Sequence, residues 1–144
     1  MSSPPYVELG VQSAFSFLEG ASQPEDLVER AAELGHGSLA LADVGGVSGL
    51  PRFHKAARQA GLRALVGARL PLLGSAERHR KDDPPPEAGR VLLLVENSEG
   101  YRNLCRLLTL GHAPYPKPHC RVTPDVLAEH HTGLVALLRD EPPA

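Results

Sequence analysis

The sequence predicts an α/β fold built from parallel βα units, and three observations carry that reading. Short apolar runs alternate with amphipathic segments of helical period along the chain. Two of those runs, "SLALAD" and "RVLLLVEN", are apolar at consecutive positions, as strands covered on both faces require. The 144 residues, 42% of them hydrophobic, suffice to bury the core of one domain.

The elements follow in order. Residues 6–11, "YVELGV", alternate and form the first strand. In "SQPEDLVERAAELGHG" Ser22 is the expected N-cap with Glu25 three residues on, Pro24 sits in the first turn and Gly35 ends the helix. Leu27, Val28, Ala31, Ala32 and Leu34 supply its apolar face. "SLALAD", residues 38–43, is the second strand, and the turn "VGGVSG" leads to a helix over 50–60 stopped by Gly61. "ALVGARLPLL" gives the third strand. Residues 74–89, polar and proline-rich, read as an exposed loop. "RVLLLVEN" is the fourth strand, and Ser98 starts the helix "SEGYRNLCRLLTL". The loop "GHAPYPKPHCR" runs to "TPDVLAEHH", where Thr123 caps and Pro124 takes the first helical position. "GLVALL" is the fifth strand. The domain is thus expected over 6–139, between short tails at 1–5 and 140–144. Right-handed βαβ units and a parallel sheet follow from the alternation. A closed barrel needs more strands, so the apolar edge after the fifth requires a cover.

Composition narrows the function. The net charge is −2, with no basic excess, which argues against direct nucleic-acid binding by the whole surface and leaves only a local basic patch open. Two cysteines do not make a disulfide framework, and a cytoplasmic home is the default. Cys105 falls on an apolar helix face and reads as a buried thiol; Cys120 lies in the proline-rich loop. The first residues lack a basic region followed by an apolar run, and no apolar stretch approaches the roughly 20 residues that span a bilayer.

Parallel α/β folds place their chemistry at the carboxyl ends of strands. Here those ends are 10–16, 43–48, 67–69, 96–99 and the residues after Leu138. The first offers Gly10, Gln12, Ser13 and Ser16, with no histidine, cysteine or aspartate. Asp43 is the only acid in the first three groups, and a lone aspartate there is commonly a cap or turn residue. "DVGGVSG" lacks the spacing of a phosphate loop, and no G-x-S-x-G elbow activates Ser13 or Ser16, which are expected to tie the loop. None of the seven histidines falls at the end of the first three strands. His112, His119 and Cys120 are ligand types within one loop, a candidate zinc cluster without a second ligand pair. His130 and His131 suit a helix C-terminus.

"YVELGVQSAFSFLEGAS", "LVERAAELGHGSLALADVGGVSGLPRFHKAARQAGLRALVGARL" and "RVLLLVENSEGYRNLCRLLT" together resemble the N-terminal PHP (polymerase and histidinol phosphatase) domain of bacterial C-family DNA polymerases, error-prone α-subunit type. The resemblance runs from Tyr6 to Leu138 and implies a PHP (β/α)7-type barrel, incomplete in this chain. Metal-competent members of that family read His-x-His-Ser where this chain has Gly10, Val11, Gln12 and Ser13. They read Thr-Asp-His where it has Ala42, Asp43 and Val44, with Gly45 in place of a further acid. A glutamate is replaced by Arg69 and a histidine by Arg90. Of these positions only Asp43 keeps a ligating side chain.

Such sites cluster carboxylates and imidazoles because divalent cations need their lone pairs. Glycine and valine side chains offer none, and an arginine stays cationic. At ~4 Å and an effective dielectric near 20, each unit charge costs a divalent cation several kcal/mol. The resemblance therefore implies a ligand-depleted site with no catalytic residue and no metal, where relatives bind zinc, manganese or similar ions. Asp43, Arg69 and Arg90 form a candidate ion-pair or anion site in its stead. The expected function is a non-catalytic scaffold or interaction module of an error-prone polymerase in replication and translesion repair. Its partners would be the rest of the α subunit or accessory proteins, with weak or no direct contact to nucleic acid and none to membrane. Two alternatives stand beside it. One is a metal-dependent phosphoesterase or 3′–5′ proofreading exonuclease using Asp43 with recruited ligands such as His54 or Glu8. The other is a free-standing phosphate-binding module.

Overall fold

The computed structural model describes residues 5–74 and 85–138. Nine elements follow in the order β1 (Glu8–Val11), α1 (Pro24–Glu33), β2 (Ser38–Val44), α2 (Leu50–Ala60), β3 (Arg63–Leu73), β4 (Glu87–Val95), α3 (Ser98–His112), α4 (Pro124–Glu129) and β5 (Leu134–Leu138). They belong to two compact units, Met1–Ala68 and Arg69–Ala144, with β3 contributing to both. The strand order is β1-β2-β3-β4-β5.

In the first unit β1 lies parallel to β2, with Glu8 opposite Leu39 and Val11 opposite Leu41 and an irregularity between the two pairs. α1 and α2 carry the βα connections and pack on each other and on β2. Their common core is Val28, Ala31, Leu39, Leu41, Leu50, Phe53, Ala57 and Leu62, with Val11, Leu27, Val47 and Val66 against it. β2 is buried at Leu39–Asp43, the signature of a strand covered on both faces. α1 starts one residue later than Ser22 predicts. Gln23 is the cap, and its N–H donates to Asp26 Oδ2 at 3.1 Å, because Pro24 occupies the first helical turn and fixes the entry. α2 ends at left-handed Gly61, as its sequence requires.

In the second unit β4 begins at Glu87, so 87–89 belong to the strand rather than the loop predicted over 74–89; the core of that loop lies outside the described residues. Val91, Leu93, Leu104, Leu107 and Leu108 are buried, and α3 packs on β4 and β5. Asn97 caps α3 by accepting from Gly100 N at 3.0 Å, and Thr123 caps α4 by accepting from Val126 N at 3.3 Å. The expectation of a parallel sheet fails at the last strand. β5 pairs antiparallel with β4, from Val91 opposite Leu138 to Val95 opposite Leu134. The connection holds two helices, α3 and α4, and two helical passes return the chain to the opposite end of the sheet. β5 is the last strand in the order, and its Val135, Leu137 and Leu138 are exposed.

Candidate functional site: a hydrogen-bonded aspartate under the first loop

The loop between β1 and α1 folds into consecutive turns. Ser16 N donates to Ser13 O, and Glu19 N and Gly20 N both donate to Ser16 O, each at 2.9 Å. Ala14 N to Ser22 O at 2.8 Å closes the base. Beneath these turns lies Asp43 at the end of β2, 2% exposed. Its Oδ1 accepts from Ser13 N and from Ser16 Oγ, both at 2.7 Å, and its Oδ2 accepts from Ser13 Oγ at 2.8 Å. The two hydroxyls accept in turn: Ser16 Oγ from Val44 N at 3.0 Å and Ser13 Oγ from Phe15 N at 3.2 Å. Every polar atom of the cluster is paired, and among the described residues no buried side-chain nitrogen or oxygen lacks a partner.

The sequence names Asp43, Ser13 and Ser16 separately, and the fold brings them together. Gly10 closes the β1 end with its N–H donating to Glu8 Oε1 at 3.0 Å. Gln12 lies above, its Nε2 3.5 Å from Glu19 Oε2. Val44 supplies only its backbone N–H. Arg69 and Arg90 belong to the second unit. Arg90 lies inside β4 rather than at its start, and its Nε donates to Glu87 Oε1 at 2.7 Å; Arg121 Nη2 reaches Glu87 Oε2 at 3.2 Å. Asp43 accepts three hydrogen bonds from Ser13 and Ser16 of its own unit. As for recruited ligands, Glu8 binds Tyr6 and Gly10, while His54 lines the outside of α2.

His112, His119 and Cys120 do not assemble as a zinc set. His112 Nδ1–H donates to the His119 carbonyl at 3.0 Å, and among the described residues no three His, Cys, Asp or Glu side chains converge. Cys120 is buried, and burial pushes its thiol up to about 11, with Arg121 pulling the other way. Cys105, expected to be buried, is half-buried instead. Between about pH 9 and about pH 11 the unfolded chain loses the Cys120 proton first, so this thiol costs stability as pH rises through that window. At about pH 8, iodoacetamide is expected to leave Cys120 unmodified in the folded chain and to label it once denatured. Peptide mass spectrometry reads the result, and rapid labelling of folded Cys120 would contradict its burial. His131, at the end of α4, meets the Ala128 carbonyl through Nδ1 at 2.7 Å, the C-terminal role its position implies.

Sequence reasoning missed what the loop shows to solvent. Phe17 is 77% and Leu18 91% exposed, and Leu18 holds φ 65, a left-handed conformation disfavoured for a leucine by about 1–2 kcal/mol. Two bulky apolar residues beside Glu19-Gly20, in a loop with no helical or strand period, were the available signal.

The PHP domain model matches residues 8–142. The chain is 50% identical over 110 residues to an error-prone DNA polymerase of Anaeromyxobacter sp. strain K, covering 76% of this chain and 9% of that protein. It is 43% identical over 136 residues to the error-prone DNA polymerase of Burkholderia mallei, covering 93% of this chain and 12% of the relative. With the error-prone DNA polymerase of Mycobacterium bovis it shares 47% over 111 residues, 77% of this chain and 10% of the relative. The chain thus spans about a tenth of the length of these relatives. Among solved structures, a protein of Bifidobacterium adolescentis assigned as a metal-dependent phosphoesterase superposes with TM-score 0.54 at 21% identity, over 78% of this chain and 35% of that one. An amidohydrolase of Chromobacterium violaceum, holding sulfate and no metal, gives 0.52 at 24%, over 73% and 32%. These two share the fold, an α/β sheet corresponding to part of a PHP barrel. The chain belongs to the PHP domain family.

Proposed function

We propose that this chain is a metal-ligand-depleted PHP domain of an error-prone DNA polymerase α subunit, a scaffold and interaction module in cytoplasmic translesion synthesis and repair. The observation that carries the reading is the use of Asp43. It is the one ligand-type side chain kept at the aligned positions, and both of its oxygens are taken by Ser13 and Ser16 in a buried, fully paired cluster. A metal there would have to displace those donors and leave them buried without partners, at about 1–3 kcal/mol each. Gly10, Gln12 and Val44 at the other aligned positions offer it no second carboxylate or imidazole.

The scaffold role is supported by what the paired cluster holds in place. A leucine kept left-handed at the surface beside an exposed phenylalanine is a costly arrangement, of the kind retained at contact sites. In a protein roughly ten times longer, the remaining chain is the natural occupant of that apolar tip and of the β5 edge.

Elemental analysis of the purified chain, after exposure to zinc and manganese and removal of free ions, tests the depleted site. Substoichiometric metal, unchanged by Asp43→Ala, is expected. One or more ions per chain, lost in that variant, would overturn the reading and restore phosphoester hydrolysis as the function to pursue.

A further inference from the structure

The chain is acidic overall, yet residues 50–63 hold Arg52, Lys55, Arg58 and Arg63 and no acid. α2 turns Leu50, Phe53 and Ala57 into the core of the first unit, so its cations stand on the outer side. Arg52 is committed. Its Nε and Nη2 donate to the two oxygens of Glu25, each at 2.7 Å, its guanidinium lies 5.8 Å from the Phe15 ring centroid, and this fork holds the Glu25 carboxyl below the usual carboxylate range. Lys55 adds to that lowering from a greater distance, and Asp26 is the other α1 acid that acts on Arg52.

Further round the helix the situation differs. His54, Lys55, Arg58 and Gln59 line a shallow surface hollow of about 310 Å3. His54 and Arg58 are four residues apart, as are Lys55 and Gln59, so the four tips form two adjacent rows one turn deep. Among the described residues neither Lys55 nor Arg58 has an ion-pair partner, although α1 beside them supplies four acids. The hollow has donors and positive charge, and no acid of its own.

We propose that this face of α2 binds the phosphodiester backbone of duplex DNA without reading its sequence. The guanidinium of Arg58 fits a phosphate with two parallel bonds and Lys55 neutralises a neighbouring one as a point charge, while His54 and Gln59 add hydrogen bonds of the kind that orient a protein on a backbone. The lining favours a duplex backbone over two other ligands. Its one ring is the His54 imidazole, and it has no Phe, Tyr or Trp to extend that into the row of platforms on which successive unpaired bases stack and on which single-strand binding relies. It also has no aliphatic residue and no Phe, Tyr or Trp to form the apolar centre that a protein interface needs inside its charged rim. A contact of two or three phosphates is weak and strongly salt-dependent, in keeping with a chain whose total charge is −2.

Fluorescence anisotropy of a labelled duplex of about 20 base pairs, titrated with the full 144-residue chain, tests this. Affinity is expected to fall about tenfold between about 50 and about 200 mM salt, the signature of two phosphate contacts. The double variant Lys55→Ala/Arg58→Ala should weaken low-salt binding about tenfold and flatten most of the salt dependence. Both positions are exposed on a helix, where alanine is well tolerated. The matched variant Arg102→Ala/Arg106→Ala, removing two exposed cations from α3, should stay within about twofold of the parent. Equal losses in the two variants would show attraction to net charge alone and overturn the site. So would absence of binding at low salt. Displacement of the duplex by polyglutamate of equal charge would also overturn it, and would assign the face to an acidic protein surface.

Discussion

Asp43→Ala will destabilise the fold by about 3 kcal/mol, while Asp43→Asn will cost about 1 kcal/mol. The alanine removes two acceptor oxygens and three hydrogen bonds at once and leaves Ser13 N, Ser13 Oγ and Ser16 Oγ buried, each having lost its acceptor. Asparagine keeps the shape. Its carbonyl oxygen in the Oδ1 place still accepts from Ser13 N and Ser16 Oγ. Its amide in the Oδ2 place donates to Ser13 Oγ, whose hydroxyl rotates to accept. A metal ligand would behave in the opposite way, because an amide is a poor substitute for a carboxylate in holding a divalent ion. Urea unfolding followed by circular dichroism reads the stability difference. Amide exchange at Ser13 and Val44 reports the cluster itself, and protection there should vanish in the alanine variant and survive in the asparagine one. An alanine variant within about 1 kcal/mol of the parent would mean that the hydrogen bonds contribute little and that the loop is held by packing.

The residues that defeated sequence reading share a physical cause. The helices were legible because capping, period and stop signals are local: α2 runs over the span its apolar spacing and Gly61 define, and Pro124 opens α4. Strand direction is not local. "GLVALL" reads the same whether it runs with or against β4, and only the two-helix connection decides. Burial of a single side chain is not local either. Cys105 lies on a helix with an apolar face and is half-buried, while Cys120 in a proline-rich loop is enclosed because residues 121–122 are drawn onto β3, Val122 N donating to Pro71 O at 3.0 Å. Asp43, Ser13 and Ser16 were visible as a lone acid and two hydroxyls. Their convergence across about 30 positions of sequence is a property of the β1–β2 pairing. With two serines in the loop, the Asp43 carboxyl has structural work that needs no ion.

Gly20→Ala will cost more than Gly49→Ala, although both glycines adjoin this cluster. A Cβ on Gly20 would stand 2.0 Å from Ser13 O and 2.6 Å from Ser13 C, both backbone atoms of the turn that Gly20 itself closes. Neither can move without carrying Ser13 away from Asp43, so the substitution gives up hydrogen bonds as well as adding overlap. About 3 kcal/mol is expected. A Cβ on Gly49 would meet Asp43 Oδ2 and Phe15 Cδ2 at 3.0 Å and Ser13 Oγ at 3.2 Å, all side-chain atoms. Phe15 is 40% exposed and can swing outward, so about 1 kcal/mol suffices. The comparison separates a loop held by backbone fit from one held by the polar cluster alone. In the first case Gly20→Ala also releases the left-handed Leu18, and limited proteolysis should cut the variant within residues 14–20 while sparing Gly49→Ala. Equal stability and equal resistance in the two variants would show that the loop adapts to a side chain at Gly20, and that its exposed apolar tip is not rigidly presented.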